Sequence, residues 1–557
     1  MNIRIVRNVV FLSLVASTLL FSKGDKENAK NKSTVSSLIK PGAYNLPIVK
    51  EKLTLSFAGE DSPGALNSLD ENLPVWQEIE KRTNIKIDWQ VTKERSAYIK
   101  QIGVRLAAGD APDFFETGDS SDAGKFNIIK LYQNGSIIRT TELIKKYAPN
   151  IHRDIKNDFF IRAALTGDDG HLYAVYPKVD GRFKDGVMCR GLHYREDWRR
   201  RLGLKEPQTM EEYYELFKAY AEKDPNRDGK IDELPFWANK IDQYSFFGSV
   251  YGLELSNTGS KGFHADDSGQ IICDFIRPEY KDFLAMMKKF YEAKCLPANL
   301  IVTKGINKKA VQLNRAGAWV NGLGMLNGAD QVLVKKHKVD LSEGGYTPGR
   351  LPKNIYTGKQ LLDPQSYVLD RYLVISANCK YPDVVTRYLD FILATEEGQI
   401  YTNYGIKDLT YTVDAMGKRR FAEAVTKHPS GRNIGSALKL FGCQAIHLNY
   451  MRADAFFTRF EGVEKLEKMP QIAREYNWTN TNVDLPVSLQ SVQDVEEYVR
   501  YEVDVNTYMD EHFYKFIKGE VPLDYFDKYV DTIKEMGLTK MIEINQKRYN
   551  MLKKLRK

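Results

Sequence analysis

The chain has 557 residues, more than one hydrophobic core accommodates, so two or more lobes are expected. Hydrophobic residues make up 43% and aromatics 11%, a globular composition rich in Tyr and Trp. The net charge of +8 is spread over interspersed Lys, Arg, Asp and Glu, with no long basic run interleaved with aromatics, which argues against nucleic-acid binding.

In chain order, MNIRIVRN carries Arg4 and Arg7 ahead of an apolar run from Val9 to Phe21 and a polar exit, SKGDKENAKNKS. A charged start, a short apolar stretch and a polar exit read as an export signal over residues 1–22, and the Lys/Asn/Ser-rich residues 23–50 as a flexible linker. The place where a lipoprotein carries its acylated cysteine holds Phe21-Ser22-Lys23. Lipid attachment is therefore excluded there. Cleavage and retention as an uncleaved membrane tether both stay open, and the protein is expected at the cell surface or in the periplasm. The five cysteines, Cys189, Cys273, Cys295, Cys379 and Cys443, are far apart, which argues for buried thiols rather than a zinc site.

The folded part opens on a strand, KLTLSFAGE, followed by a helix around VWQEIEKRT, a strand IKIDWQV, a helix SAYIKQIGVRLAAG and a short strand PDFFET. Helices alternating with short strands imply α/β layers around a mostly parallel sheet. The middle repeats this grammar. PQTMEEYYELFKAYAEK reads as a helix whose Thr209 and Glu212 form a capping box. RAGAWVNGLGML reads as a strand with Gly-rich turns, RYLVISAN as another strand, and YPDVVTRYLDFILATEEGQIYTNYG as a helix pair. The last eighty or so residues are helix-patterned throughout, and KKLRK suits a final helical turn.

Between helix and strand lies DPNRDGKIDE. Oxygen ligands at alternate positions of a tight loop converge, which suits a hard cation such as Ca²⁺. Asp224, Asn226 and Asp228 supply side chains, Lys230 a carbonyl, Gly229 the sharp turn and Asp232 a further carboxylate. The usual last ligand position is Pro235, so Glu233 would have to replace it. The competing reading is an exposed Asx-rich turn. A role for the ion would be structural.

GDAPDFFETGD, YREDWRRRLGLKEPQTMEEYYELFKAY, DPNRDGKIDELPF, TRYLDFILATEEGQIYTNYGI and YKFIKG follow one another in this order. Together they resemble the large extracellular solute-binding proteins of bacterial sugar-uptake transporters, over nearly all of residues 50–557. The likeness is to the lipoprotein-type oligosaccharide binders, which include alginate-oligosaccharide-binding proteins. The resemblance implies an α/β, two-lobed, periplasmic-binding-protein-like fold with a hinge, an interlobe cleft and a helix-rich C-terminal part. The lobes would be 51–185 with 370–430, and 186–369 with 431–557, the chain crossing near 176–192, near 366–376 and near 430. It also implies Ca²⁺ on Asp224, Asn226, Asp228, Lys230 (by its carbonyl), Asp232 and Glu233. The partners would be an oligosaccharide, acidic sugars included, and the permease subunits of an ABC transporter, the protein itself being a monomer. Two departures stand out: the missing lipobox cysteine, and Lys407-Asp408 where relatives often carry Glu-Gly.

Sugar recognition needs aromatic faces and planar polar side chains in a concave site. The candidates are Trp319 with Asn321, Trp237 just after the loop, Tyr404, Glu116 and Asp119 at the end of PDFFET, and Tyr450 near the third crossing. Trp76 and Trp198 lie in helix patterns and read as core. The absence of G-x-S-x-G, H-E-x-x-H and P-loop patterns argues for binding without catalysis. Two alternatives stay open: a cell-surface calcium-dependent polysaccharide-processing enzyme, which needs only two carboxylates, and a transport-independent carbohydrate sensor.

Overall fold

The structure, a computed structural model, describes residues 46–556 apart from 62–66, 118–126, 182–189, 239–240, 256–260, 301–308, 323, 343, 361–367, 432, 444–447, 462–466, 469–470, 472–474 and 476–490. The export segment, nearly all of the linker, Cys189 and Asp119 thus lie outside the described residues. Among the described residues no helix is long and apolar enough to cross a membrane.

The chain first forms β1 (Leu53–Glu60), β2 (Ile85–Thr92), β3 (Phe114–Glu116) and β4 (Tyr176–Val179). It then forms β5 (Arg190–Arg195), β6 (Leu234–Phe236), the hairpin of β7 (Phe263–Ala265) and β8 (Ile271–Cys273), β9 (Ala316–Gly322) and β10 (Tyr346–Pro348). Last come β11 (Val368–Ile375) and the hairpin of β12 (Tyr411–Val413) and β13 (Arg419–Phe421). One sheet has the order β2-β1-β3-β11-β4, the other β10-β5-β9-β6. Each lies in its own hydrophobic core. The fold is the two-lobed α/β architecture expected of a solute-binding protein.

In the first sheet β1 runs parallel to β2 and β3, while β11 runs antiparallel to β3 and β4. The carboxyl ends of β1, β2, β3 and β4 therefore share one edge. The helix Pro382–Ala394 is central to this lobe, since every residue from Asp383 to Ala394 is buried. Its Asp390 accepts hydrogen bonds from the backbone N–H groups of Asn150 (3.0 Å) and Ile151 (2.7 Å), which satisfies amides at the start of the helix Pro149–Asn157.

In the second sheet β5 pairs antiparallel with β9 and β10, and β6 runs parallel to β9. Arg190, where the chain enters, pairs with Gly322 at the end of β9. The helix Val492–Lys518 (27 residues) packs here with Phe526–Ile533 and Thr539–Arg556, the helix-rich end expected from the sequence.

The chain passes from the first sheet to the second between Val179 and Arg190. The second crossing lies before Val368, because β11 already belongs to the first sheet; the sequence placed it at 366–376. Ala437, Leu438, Cys443, Leu448 and Ala455 pack in the first core, so core membership continues past the boundary expected near 430. The segment Gly324–His337, beginning in the Gly-rich stretch read as turns, is helical.

Candidate functional site

The strand topology gathers the site. In an open α/β sheet, ligands bind beyond the carboxyl ends of the strands. Both sheets turn such ends toward the first crossing: Glu60, Glu116 and Val179 in one, Asn321 and Phe236 in the other.

On the first sheet, Glu116 ends β3 and is 1% exposed. Arg371 on β11 reaches it, Nη1 lying 3.6 Å from Glu116 Oε1 and 3.5 Å from Glu60 Oε2. Arg95, on the helix Arg95–Ala108, approaches the same Glu60 oxygen at 3.4 Å. Burial pushes the Glu116 carboxyl up to about 8; Arg371, Lys178 and Arg95 oppose the shift, and Glu60 adds to it. Tyr98 donates its hydroxyl hydrogen to the Glu116 carbonyl. Glu116 was anticipated from its place at a strand end. Arg371, Arg95, Glu60 and Lys178 were not. The available signal was the charged pair Asp370-Arg371 inside the otherwise apolar strand Val368–Ile375.

On the second sheet, Trp319 and Trp237 come together, ring centroids 5.3 Å apart. Trp319 also packs edge-on against Tyr346 at 4.2 Å. Both indoles are buried within the lobe core, at 3% and 5% exposure. The buried Trp237 Nε1 has no hydrogen-bond partner among the described residues. Asn321 is half-buried; its carbonyl accepts from His193 Nε2 at 2.9 Å and its Oδ1 from the Gly322 N–H at 2.8 Å.

Tyr450 sits at the first crossing. Asp180 and Met451 form a parallel bridge, and the Met451 N–H donates to the Val179 carbonyl at 3.2 Å. Gly181 passes so close that a Cβ there would lie 2.7 Å from the Met451 carbonyl oxygen and 2.9 Å from the Tyr450 ring. Only glycine fits. Asn403 secures this segment: its Nδ2 donates to Asn449 Oδ1 and to the Tyr450 carbonyl, both at 2.8 Å, and its Oδ1 accepts from the Arg452 N–H at 3.0 Å. Tyr404, the next residue, is buried against Tyr411 and Phe421 in the first core. Trp76 and Trp198 are core, as expected.

The DPNRDGKIDE loop joins the helix Met210–Glu222 to β6. The capping box holds, with Thr209 and Glu212 exchanging hydrogen bonds with each other's backbone N–H. Gly229 takes a φ of 82°, as the turn demands. Asp224 accepts from the N–H groups of Asp228 and Gly229, Asn226 from Asp228, and Asp228 from Lys230. Arg315 pairs with Asp232 at 3.0 Å. Glu233 is 9% exposed and its Oε1 has no hydrogen-bond partner among the described residues. Burial, then repulsion from Asp224 and Asp232, pushes its carboxyl up to about 7, against backbone hydrogen bonds. Among the described residues no three acidic, His or Cys side chains already converge as a metal cage. The donor set is all oxygen, and an orphaned buried carboxylate oxygen beside two like charges fits a hard divalent cation.

No family model matches the chain. Over 233 residues it is 30% identical to the fructooligosaccharide ABC transporter substrate-binding protein FusA of Streptococcus pneumoniae, covering 39% of this chain and 42% of that protein. Over 271 residues it is 28% identical to the polygalacturonan/rhamnogalacturonan-binding protein YtcQ of Bacillus subtilis, covering 48% and 49%. The chain thus spans about half the length of these curated relatives. In fold it matches the crystal structure of the alginate-binding protein AlgQ2 without calcium ion, with a TM-score of 0.71 at 23% identity, over 90% of this chain and 99% of that one. Structures of FusA with kestose, and of a FusA EF-hand mutant, superpose with TM-scores of 0.69 and 0.68 at 17% and 18% identity, each over 90% of this chain and 99% of theirs.

Proposed function

We propose that this chain, a relative of ABC-transporter substrate-binding proteins that shares their two-lobed fold, is an exported binding protein that captures an oligosaccharide and delivers it to a permease. The observation that carries this reading is the convergence of strand carboxyl ends from two sheets on the crossing between them. A ligand touching both lobes favours the closed arrangement over the open one by the difference in its affinity for the two. Nothing in that cycle requires bond breaking, and the relatives FusA and YtcQ are named as binding proteins. Asn403, holding Tyr450 and Met451 against Val179 and Gly181, would keep the crossing strand in place while the lobes move. Trp237, Trp319 and Asn321 would form the second-lobe wall, and Glu116 with its arginines the first-lobe wall.

The loop Asp224–Glu233 would hold Ca²⁺ through Asp224, Asn226, Asp228, the Lys230 carbonyl, Asp232 and Glu233. The ion would supply the positive charge these carboxylates lack, and its role would be to stiffen the entry to β6. Thermal unfolding of the full chain against a panel of oligosaccharides tests the main reading. A rise in Tm with at least one glycan, accompanied by a smaller radius of gyration in solution scattering, supports it. Flat responses throughout, or new reducing ends released from a polysaccharide, count against it.

A further inference from the structure

We infer that the short helix Phe159–Leu165 is the joint on which the two lobes turn, tied to the last helix of the second lobe by Arg162 and Phe159, so that Arg162 is a positioning residue for lobe closure. This inference rests on the closure cycle proposed above and adds to it the contact about which the lobes move.

The helix reads FFIRAAL, and Asp158 caps its start by accepting from the N–H groups of Phe160 (3.1 Å) and Ile161 (3.3 Å). Ile161, Ala164 and Leu165 are buried in the core of the first lobe, and Phe160 packs against it. Ala163 is 0% exposed but belongs to the core of the second lobe, and Phe159, four residues earlier, packs against that same core. Helical periodicity puts Phe159, Arg162 and Ala163 on one side and the other four residues on the opposite side. One short helix thus faces both cores at once. It also packs on β4, the strand that leads into the first crossing.

Arg162 makes the tie. Its Nη1 donates to the carbonyls of Ile155 (3.2 Å) and Lys156 (3.0 Å), in the last turn of the helix Pro149–Asn157. Its Nη2 donates to the carbonyl of Leu555 (3.2 Å), in the last turn of Thr539–Arg556. The last carbonyls of a helix lack intrahelical partners and form the negative end of its dipole. A single guanidinium therefore serves two helix ends, one in each lobe. The Phe159 ring is shared in the same way. The Arg162 guanidinium lies 5.6 Å from its centroid, and the Arg556 guanidinium, from the other lobe, 4.9 Å.

A second contact between the lobes is of another kind. Lys130, on the helix Ile128–Gln133 of the first lobe, pairs at 2.9 Å with Glu496, on the helix Val492–Lys518, and both side chains are exposed. An exposed ion pair breaks and re-forms at little cost. A side chain buried in the opposite core does not, because parting would return apolar surface to water. The rotation these contacts favour keeps Ala163 and Arg162 in place while Lys130 and Glu496 slide.

The test is double electron–electron resonance on the full chain without ligand, between nitroxides carried by non-natural residues in place of Lys145 and Lys335. Both positions are exposed, on helices that pack one in each lobe. Arg162→Gln should broaden the interlobe distance distribution about twofold, because it unties the two helix ends, and Arg556→Gln should broaden it less. Arg556 is exposed, so its loss should leave Tm nearly unchanged. A group that only stabilised the fold would lower Tm and leave the width alone. Should Arg162→Gln fail to fold, Arg556→Gln decides. Widths equal to the wild type's in every folded variant overturn the inference and leave glycan capture standing. Flat responses across the glycan panel, with the widths broadened as expected, overturn the capture reading and leave the joint standing.

Discussion

Each lobe carries a carboxylate cluster, and the two solve the same electrostatic problem differently. In the first lobe Glu60 and Glu116 face cations supplied by the chain itself, Arg371 and Arg95, brought from distant segments. In the second, Asp224, Asp228, Asp232 and Glu233 lie within ten residues, and most of their partners are backbone N–H groups of the same loop, Arg315 being the exception. Amide dipoles stabilise a carboxylate but do not cancel its charge. The first cluster meets its carboxylates with cations from distant segments, whereas the second meets them mostly with amide dipoles, which is why the proposed reading gives the loop a cation.

Both clusters contain a carboxyl raised in the folded protein, Glu116 to about 8 and Glu233 to about 7, from an ordinary value of 4.5. The protonated form is the one the fold favours. Stability from each group is therefore full below about pH 4.5 and is lost as pH rises through about 8 and about 7 respectively.

The largest expected effect is on the first cluster. Arg371→Met removes the cation that approaches both Glu116 and Glu60 and should cost about 3 kcal/mol in guanidinium unfolding at about pH 9, where Glu116 is ionised, and less at about pH 6, part of it recovered by adding Glu116→Gln. A loss within experimental error of zero would mean that Glu116 and Glu60 do not depend on Arg371. Next comes the loop. Ca²⁺ at about a hundredfold over its dissociation constant should stabilise the chain by about 2.7 kcal/mol, reversibly with EDTA. The gain should be greater at about pH 8 than at about pH 5, because ionised Glu233 is what the ion relieves. Glu233→Gln should shrink the calcium gain and leave the first cluster untouched; an unchanged gain would remove Glu233 from the site. The smallest is Thr209→Ala, which deletes the cap of the helix leading into the loop and should cost about 1 kcal/mol with or without calcium. A cost that vanishes in EDTA would show that cap and ion site are coupled.

How much was legible beforehand differs between the same two regions. The loop could be read because its parts are neighbours: Asp224, Asn226, Asp228 and Gly229 act over a few residues, and so do Thr209 and Glu212. The strand-end site could be read only in half. Glu116 follows from the place of PDFFET, but Arg371 reaches it across more than 250 residues of chain, through the pairing of β11 with β3. Trp237 and Trp319 are each candidates from the sequence, but their contact with one another comes from the tertiary structure, periodicity alone does not tell a buried ring from an open one, and Tyr346 covers one edge of Trp319.

What the amino-acid order determined by itself is the alternation of strands and helices, the capped helix and the acidic turn, because these depend on backbone preferences and on contacts a few residues long. The tertiary structure decided where the chain crosses, which side of Gly181 Tyr450 occupies, and which arginines stand before which carboxylates. Those depend on sheet order, and sheet order is settled by burying two whole cores at once rather than by any local run of residues.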